Sequence, residues 1–259
     1  MNKLLTVTLA GLALATGSAM AADIPLKAPP APVTSWTGCY LAAGWGYNVW
    51  NQDHYSEAFP VIAPLSVSTT SGGRGFLGRF GGGCDYQLGF ISNRIVIGAL
   101  ADYDVLSAKG TFADPLFGIQ GSETQTGEWA VGGRVGYLVT PQLLTFFSAG
   151  FTQTRFGQVN FAGVAPPFAP TGTSISATTY RTGGFIGGGE EYALDWSWLP
   201  WRGLFWRTEY RYSSFASTDI PVIVNATGAL AGTAEHMQKT EQSITTSLIW
   251  RFNWSGVKY

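Results

Sequence analysis

The chain has 259 residues, 12% of them charged, with a formal net charge of −1. Charged residues usually make up about 25% of a soluble domain, so this balance excludes a basic nucleic-acid binder and an acidic disordered tail. Two Cys rule out a disulfide scaffold, two His in unrelated contexts give no metal set, and 14% aromatics with 34 Gly demand a large core or a membrane face.

Residues 1–21 read as a secretory signal peptide, with Lys3 as the positive end, a short apolar run from Leu4 to Thr16, and Ala19-Met20-Ala21 before a cleavage between Ala21 and Ala22. The run is shorter than the roughly 20 residues of a spanning helix. Residues 22–35 (ADIPLKAPPAPVTS) form a Pro-rich linker on the periplasmic side, and residues 36–259 form one domain. No later stretch is apolar enough for a transmembrane helix.

From Trp36 onward the period is two. Residues 36–50 place Leu41, Trp45, Tyr47 and Val49 on one face and Tyr40, Gly44, Gly46 and Asn48 on the other. Residues 73–87 set Phe76, Phe80, Cys84 and Tyr86 against Arg79, Asp85 and Gln87. Residues 93–107 set Ile95, Ile97, Tyr103 and Val105 against Asp102 and Asp104, and residues 125–139 set Trp129, Val131, Val135 and Tyr137 against Glu128 and Arg134. Residues 143–156 allow either Phe147, Ala149 and Phe151 or Leu144, Phe146 and Phe156 on the apolar outside. Residues 182–194 place Glu191 opposite Ile186 and Tyr192, and residues 203–213 set Trp206, Tyr210 and Tyr212 against Arg207, Glu209 and Arg211. Residues 241–254 set Ile244, Leu248, Trp250 and Trp254 against Ser243, Ser247 and Arg251.

Short connections near 88–92, 140–142 and 195–202 alternate with long ones near 51–72, 108–124, 157–180 and 215–240. The charges fall on the face opposite the aromatics, the reverse of a soluble barrel, and no second element is left to cover the aromatic face. Lipid is the simplest cover. The expected fold is an all-β, eight-stranded antiparallel up-and-down transmembrane β-barrel. Trp196, Trp198, Trp201, Trp206, Trp250 and Trp254 fall near the short-turn end and suit an interfacial girdle.

The mature start Ala22-Asp23-Ile24-Pro25, Trp36-Thr37-Gly38-Cys39-Tyr40, Gly133-Arg134-Val135-Gly136-Tyr137, Gly189-Glu190-Glu191-Tyr192-Ala193-Leu194 and Glu209-Tyr210-Arg211-Tyr212 occur in this order. In these features the chain resembles the small OmpA-like outer-membrane barrels, in particular the outer-membrane immunogenic or porin-like proteins of alphaproteobacteria. Two departures stand out. Asn253 to Tyr259 follow Phe252, where such barrels commonly end on an aromatic, and Glu190 falls by parity on the lipid face.

Inside a barrel of eight strands there is room for little more than side chains, and buried charges must pair. Arg79, Asp102, Glu128, Arg134, Glu191, Arg207, Glu209 and Arg211 are therefore expected to form an interior ionic network. Gly73-Arg74-Gly75-Phe76-Leu77-Gly78 fits G-x-G-x-x-G but lacks the strand-turn-helix context of a phosphate site. His54 and His236 fall in predicted loops, where a lone His is usually solvated. No catalytic residue, metal or cofactor is expected, so the chain reads as a non-enzyme. In a simple hairpin of the first two strands, Cys39 opposite Cys84 puts Leu41 over Gly82, Trp45 over Gly78 and Tyr40 over Gly83. That register predicts a Cys39–Cys84 disulfide; a one-residue slip would leave two thiols instead.

The expected function is structural, at the cell outer membrane, with four loops outside. Alternatives are loop-mediated binding of haem or host matrix, or a narrow small-solute porin. Expected partners are outer-membrane lipid, lipopolysaccharide and the barrel-assembly machinery, with no nucleic acid; the oligomeric state is not legible.

Overall fold

The computed structural model describes residues 35–89, 92–114, 117–195 and 203–252. The expected signal peptide, the linker up to residue 34, Trp196, Trp198, Trp201, Trp254 and Tyr259 lie outside the described residues. The described residues form strands and turns, with no helix among them. The strands are β1 (Gly38–Ala58), β2 (Ala63–Pro64), β3 (Thr69–Gln87), β4 (Ile95–Asp114), β5 (Ile119–Thr140), β6 (Leu143–Phe156), β7 (Val159–Gly163), β8 (Pro170–Ile175), β9 (Thr178–Ala193), β10 (Leu204–Phe215), β11 (Thr218–Val224) and β12 (Leu230–Phe252).

All pairings are antiparallel, in the order β1-β3-β4-β5-β6-β9-β10-β12. β12 then pairs with β1 from Cys39 opposite Phe252 to Ala58 opposite Thr233. The sheet therefore closes on itself, and no long strand is left with an unpaired edge. Past Phe156 the ladder continues through shorter pieces: β7 pairs with β5 and β8, and β11 with β8 and β12. β6 and β7, β8 and β9, and β10 and β11 are each separated by a two-residue break, at 157–158, 176–177 and 216–217. The segments expected to be long loops are thus largely β structure, and among the described residues there are twelve strands, eight of them in the closed order. The cause is an apolar core that the short strands help to enclose. It comprises Trp50, Phe112, Phe156, Val159, Phe161, Ile175, Tyr180, Phe215, Ile220, Val222 and Met237, with Ala108.

Alternation decides what faces where. Phe76 is 74% exposed and Trp45 62%, whereas Trp50, Arg251 and Glu191 are fully covered by protein. In β6, Phe147 and Phe151 point outward and Leu144, Phe146 and Phe156 inward, which resolves the ambiguity of that strand. Inward glycines admit the largest inward rings. A Cβ at Gly73 would lie 2.6 Å from the Trp50 ring, and one at Gly83 would lie 2.6 Å from the Tyr40 hydroxyl. Near the short-turn end a disulfide joins Cys39 and Cys84, which are directly opposed in the β1–β3 register.

Candidate functional site

The inward face of the sheet carries two layers of ion pairs. In the layer nearer the short turns, Glu191 on β9 is the hub. Its Oε1 accepts from Arg251 Nε at 3.0 Å and Nη2 at 2.6 Å. Its Oε2 accepts from Arg207 Nε at 2.9 Å and Nη2 at 2.7 Å, and from Arg134 Nη1 at 3.0 Å. Asp85 on β3 accepts from Arg134 through both oxygens and pairs with Arg251 at 2.7 Å. The three guanidiniums surround the Tyr40 ring at 4.7 to 5.0 Å. A ring face supplies negative potential without a further charge, which suits a layer of three cations and two carboxylates.

One layer further from the short turns, Arg79 grips Asp104 with two hydrogen bonds, 2.8 and 2.6 Å, and reaches Glu209 at 3.3 Å. Arg211 grips Asp102 with two bonds of 2.9 Å and reaches Glu209 at 3.3 Å. Ser148 donates to Glu209 at 3.0 Å, and Phe185 lies 4.3 Å beneath the Arg211 guanidinium. This layer holds two cations and three carboxylates, so the two layers together balance. Bidentate forks of this kind are the strongest charged pairs available to a side chain. Between the layers a cavity of about 10 Å³ is lined by Tyr40, Leu100, Arg79, Asp102, Arg207 and Glu209. That is room for about one water.

Further up, Lys239 on β12 donates to Glu123 on β5 at 2.8 Å and to Gln52. Its ammonium lies 3.8 Å from the Phe156 ring and 4.7 Å from the Trp50 ring. Asn48 donates to Gln125 at 2.6 Å, and Gln125 donates to Glu241 at 2.7 Å and to Thr154 at 2.8 Å.

No protein-family model matches the chain. It is 29% identical over 221 residues to the 31 kDa outer-membrane immunogenic protein of Brucella melitensis, covering 81% of this chain and 86% of that one. The protein of the same description from Brucella suis matches to the same extent. The outer membrane protein OprG from Pseudomonas aeruginosa superposes with a TM-score of 0.50 over 84% of this chain and 97% of its own, at 8% identity, a likeness of fold alone. The chain is a small outer-membrane β-barrel protein.

The eight residues expected in the interior network of this barrel all point inward, but one keeps different company. Glu128 accepts from Thr152 at 2.5 Å and Ser213 at 3.5 Å rather than from an arginine. It stands directly opposite Asp104, and Arg79 and Arg211 are already engaged by Asp102, Asp104 and Glu209. Asp85, Asp104 and Arg251 are full members of the barrel's network and were not expected in it. Their parity marked them as inward; only the closure of β12 on β1 brings Arg251 to Asp85 and Glu191.

The histidines also differ from expectation. His54 is not a solvated loop residue: it lies on β1, fully buried, bonded to Ser71 at 2.9 Å and 4.2 Å from the Phe112 ring. Burial pushes its imidazole down to about 4, against the field of Asp114. Burial likewise raises the carboxyl of nearby Glu235 to about 7. His236 lies on β12 with its ring facing outward. Trp206 and Trp250 are outward and exposed, and Glu190 is also exposed on the outer face.

Proposed function

We propose that the chain is an eight-stranded transmembrane barrel with a sealed lumen, that its role is to maintain the envelope, and that its β extension stands outside the cell. The observation that carries this reading is that hydrogen bonds cross the lumen. Arg211 on β10 reaches Asp102 on β4, and Lys239 on β12 reaches Glu123 on β5. In the closed order each pair lies four strands apart, on opposite walls. The apolar core beyond Trp50 closes the other end of the lumen. A narrow porin would need these crossings to open.

The outward apolar residues of β1 run from Leu41 to Val49. At 3.3 Å per residue and a tilt of roughly 40° this band is about 20 Å tall, near the usual lipid-facing height of roughly 25 Å. At its extension-side edge Arg74, in register with Val49, and Lys109, in register with Arg74, are exposed, as are Arg155 and Arg181. On this reading they meet the phosphates of lipopolysaccharide. No enzymatic step is part of this reading.

Deleting the gene should sensitise cells to bile salts and to large antibiotics, and expressing the chain should restore resistance. An unchanged barrier would contradict the structural role. One observation favours a second reading, binding through the tips: Val61 and Val67 are exposed at 75% and 73% in the β1–β3 connection. On that reading, loss of the chain would abolish adhesion to host matrix or haem uptake and leave the barrier intact.

A further inference from the structure

On the outer face of the extension, His236 on β12 sits in register with Tyr55 on β1 and with Asp219 on β11. Tyr55 stacks on its ring at 4.7 Å and 17°, which fixes the ring plane. Asp219 Oδ1 lies 2.5 Å from His236 Nδ1. Two residues beyond Tyr55, on the same face of β1, Glu57 is fully buried. Neither of its carboxylate oxygens has a hydrogen-bond partner, and among the described residues no ion pair reaches it. A buried carboxylate left in this state is costly. It is aimed at the other two groups, since one ligand atom from each of Glu57, Asp219 and His236 lies within 4.8 Å of the others.

We infer that Glu57, Asp219 and His236 bind a divalent transition-metal ion of the zinc type, which ties β1 to β11 and β12 at the outer end of the barrel. Two carboxylates and a neutral imidazole carry a charge of −2, which one divalent cation neutralises. A mixed nitrogen and oxygen set suits zinc and its first-row neighbours, whereas calcium takes six to eight oxygens. Bonds near 2.0 to 2.2 Å place tetrahedral ligand atoms roughly 3.3 Å apart. Glu57 must therefore move inward, while His236 Nδ1 and Asp219 Oδ1, now 2.5 Å apart, must separate by a little under an ångström as the ion takes the place of the proton between them. Water or a partner's side chain would complete the shell. Asp219 and His236 lie 17 residues apart and Glu57 lies far from both, so no motif announces them.

The test is calorimetric titration of Zn²⁺ into untagged protein, refolded in detergent and stripped with EDTA. The expected result is about one ion per chain, with Kd on the order of micromolar. Glu57→Gln and His236→Ala should each weaken binding about 100-fold, while His54→Gln should leave it unchanged. Heat-modifiable migration on gels shows that each variant is folded, and Asp219→Asn replaces any that is not. The proposal is overturned by three results: no saturable binding, binding retained in both ligand variants, or Ca²⁺ binding as tightly as Zn²⁺.

Discussion

Replacing Glu191 by Gln isolates the ionic hub with almost no change of shape. The carboxylate accepts five hydrogen bonds from three arginines and is fully buried. Without it Asp85 is the one remaining carboxylate in a layer of three guanidiniums, and the Gln amide offers one acceptor oxygen where five donors met two. Removing one partner of a buried pair costs about 3 to 5 kcal/mol, because the other charge stays desolvated. With three cations affected, about 4 kcal/mol is expected. A urea slope of about 2 kcal/mol/M turns this into a midpoint lower by about 2 M. The folded fraction is read from heat-modifiable gel migration across a urea series in lipid vesicles. Glu191→Gln combined with Arg207→Gln should recover part of the loss, because one stranded cation is removed. A midpoint within about 0.5 M of the parent would refute the reasoning and show that water in the lumen already solvates the arginines.

Three further outcomes follow from the same structure. An epitope inserted near Ala226 should be reached by antibody on intact cells and one after Tyr259 should not; the reverse would invert the topology. Thiol labelling of the unfolded protein without reductant should give no label, and Cys39→Ser with Cys84→Ser should cost about 4 kcal/mol, from a loop of 45 residues; two labels per chain would mean that the thiols are free. The His54 imidazole should titrate near 4 by NMR; its folded-state value lies below the unfolded 6.5, so its contribution to stability is complete above about pH 6.5 and is lost as pH falls toward 4, whereas a titration near 6.5 would show it to be solvated.

The closed sheet was largely legible because alternation is a strong signal when charges and aromatics segregate. Arg79, Asp102, Arg134, Glu191, Arg207, Glu209 and Arg211 share the face opposite Phe76, Tyr103, Val135 and Trp206, and only a reversed barrel places them so. The Cys39–Cys84 register was readable for a different reason, since the numbers of opposed residues in a plain hairpin have a constant sum. The extension was not legible. Val159 and Phe161, like Ile220 and Val222, alternate over strands too short to stand apart from loops, and they are ordered by one another across the closed ladder. His54 follows from this, because its burial depends on Phe112 and Ser71 from other strands of the extension. Glu128 was assigned to the arginines because parity gives the face of a residue but not which side chains it meets there, and Thr152 and Ser213 reach it instead.

The central claim is that side chains seal the lumen, and ion conductance across a planar lipid bilayer tests it most directly. Protein refolded without a tag and inserted at neutral pH should leave the baseline current free of discrete steps. Uniform steps whose size grows with salt concentration would mean that the Arg211–Asp102 and Lys239–Glu123 crossings open, and the sealed barrel would be wrong.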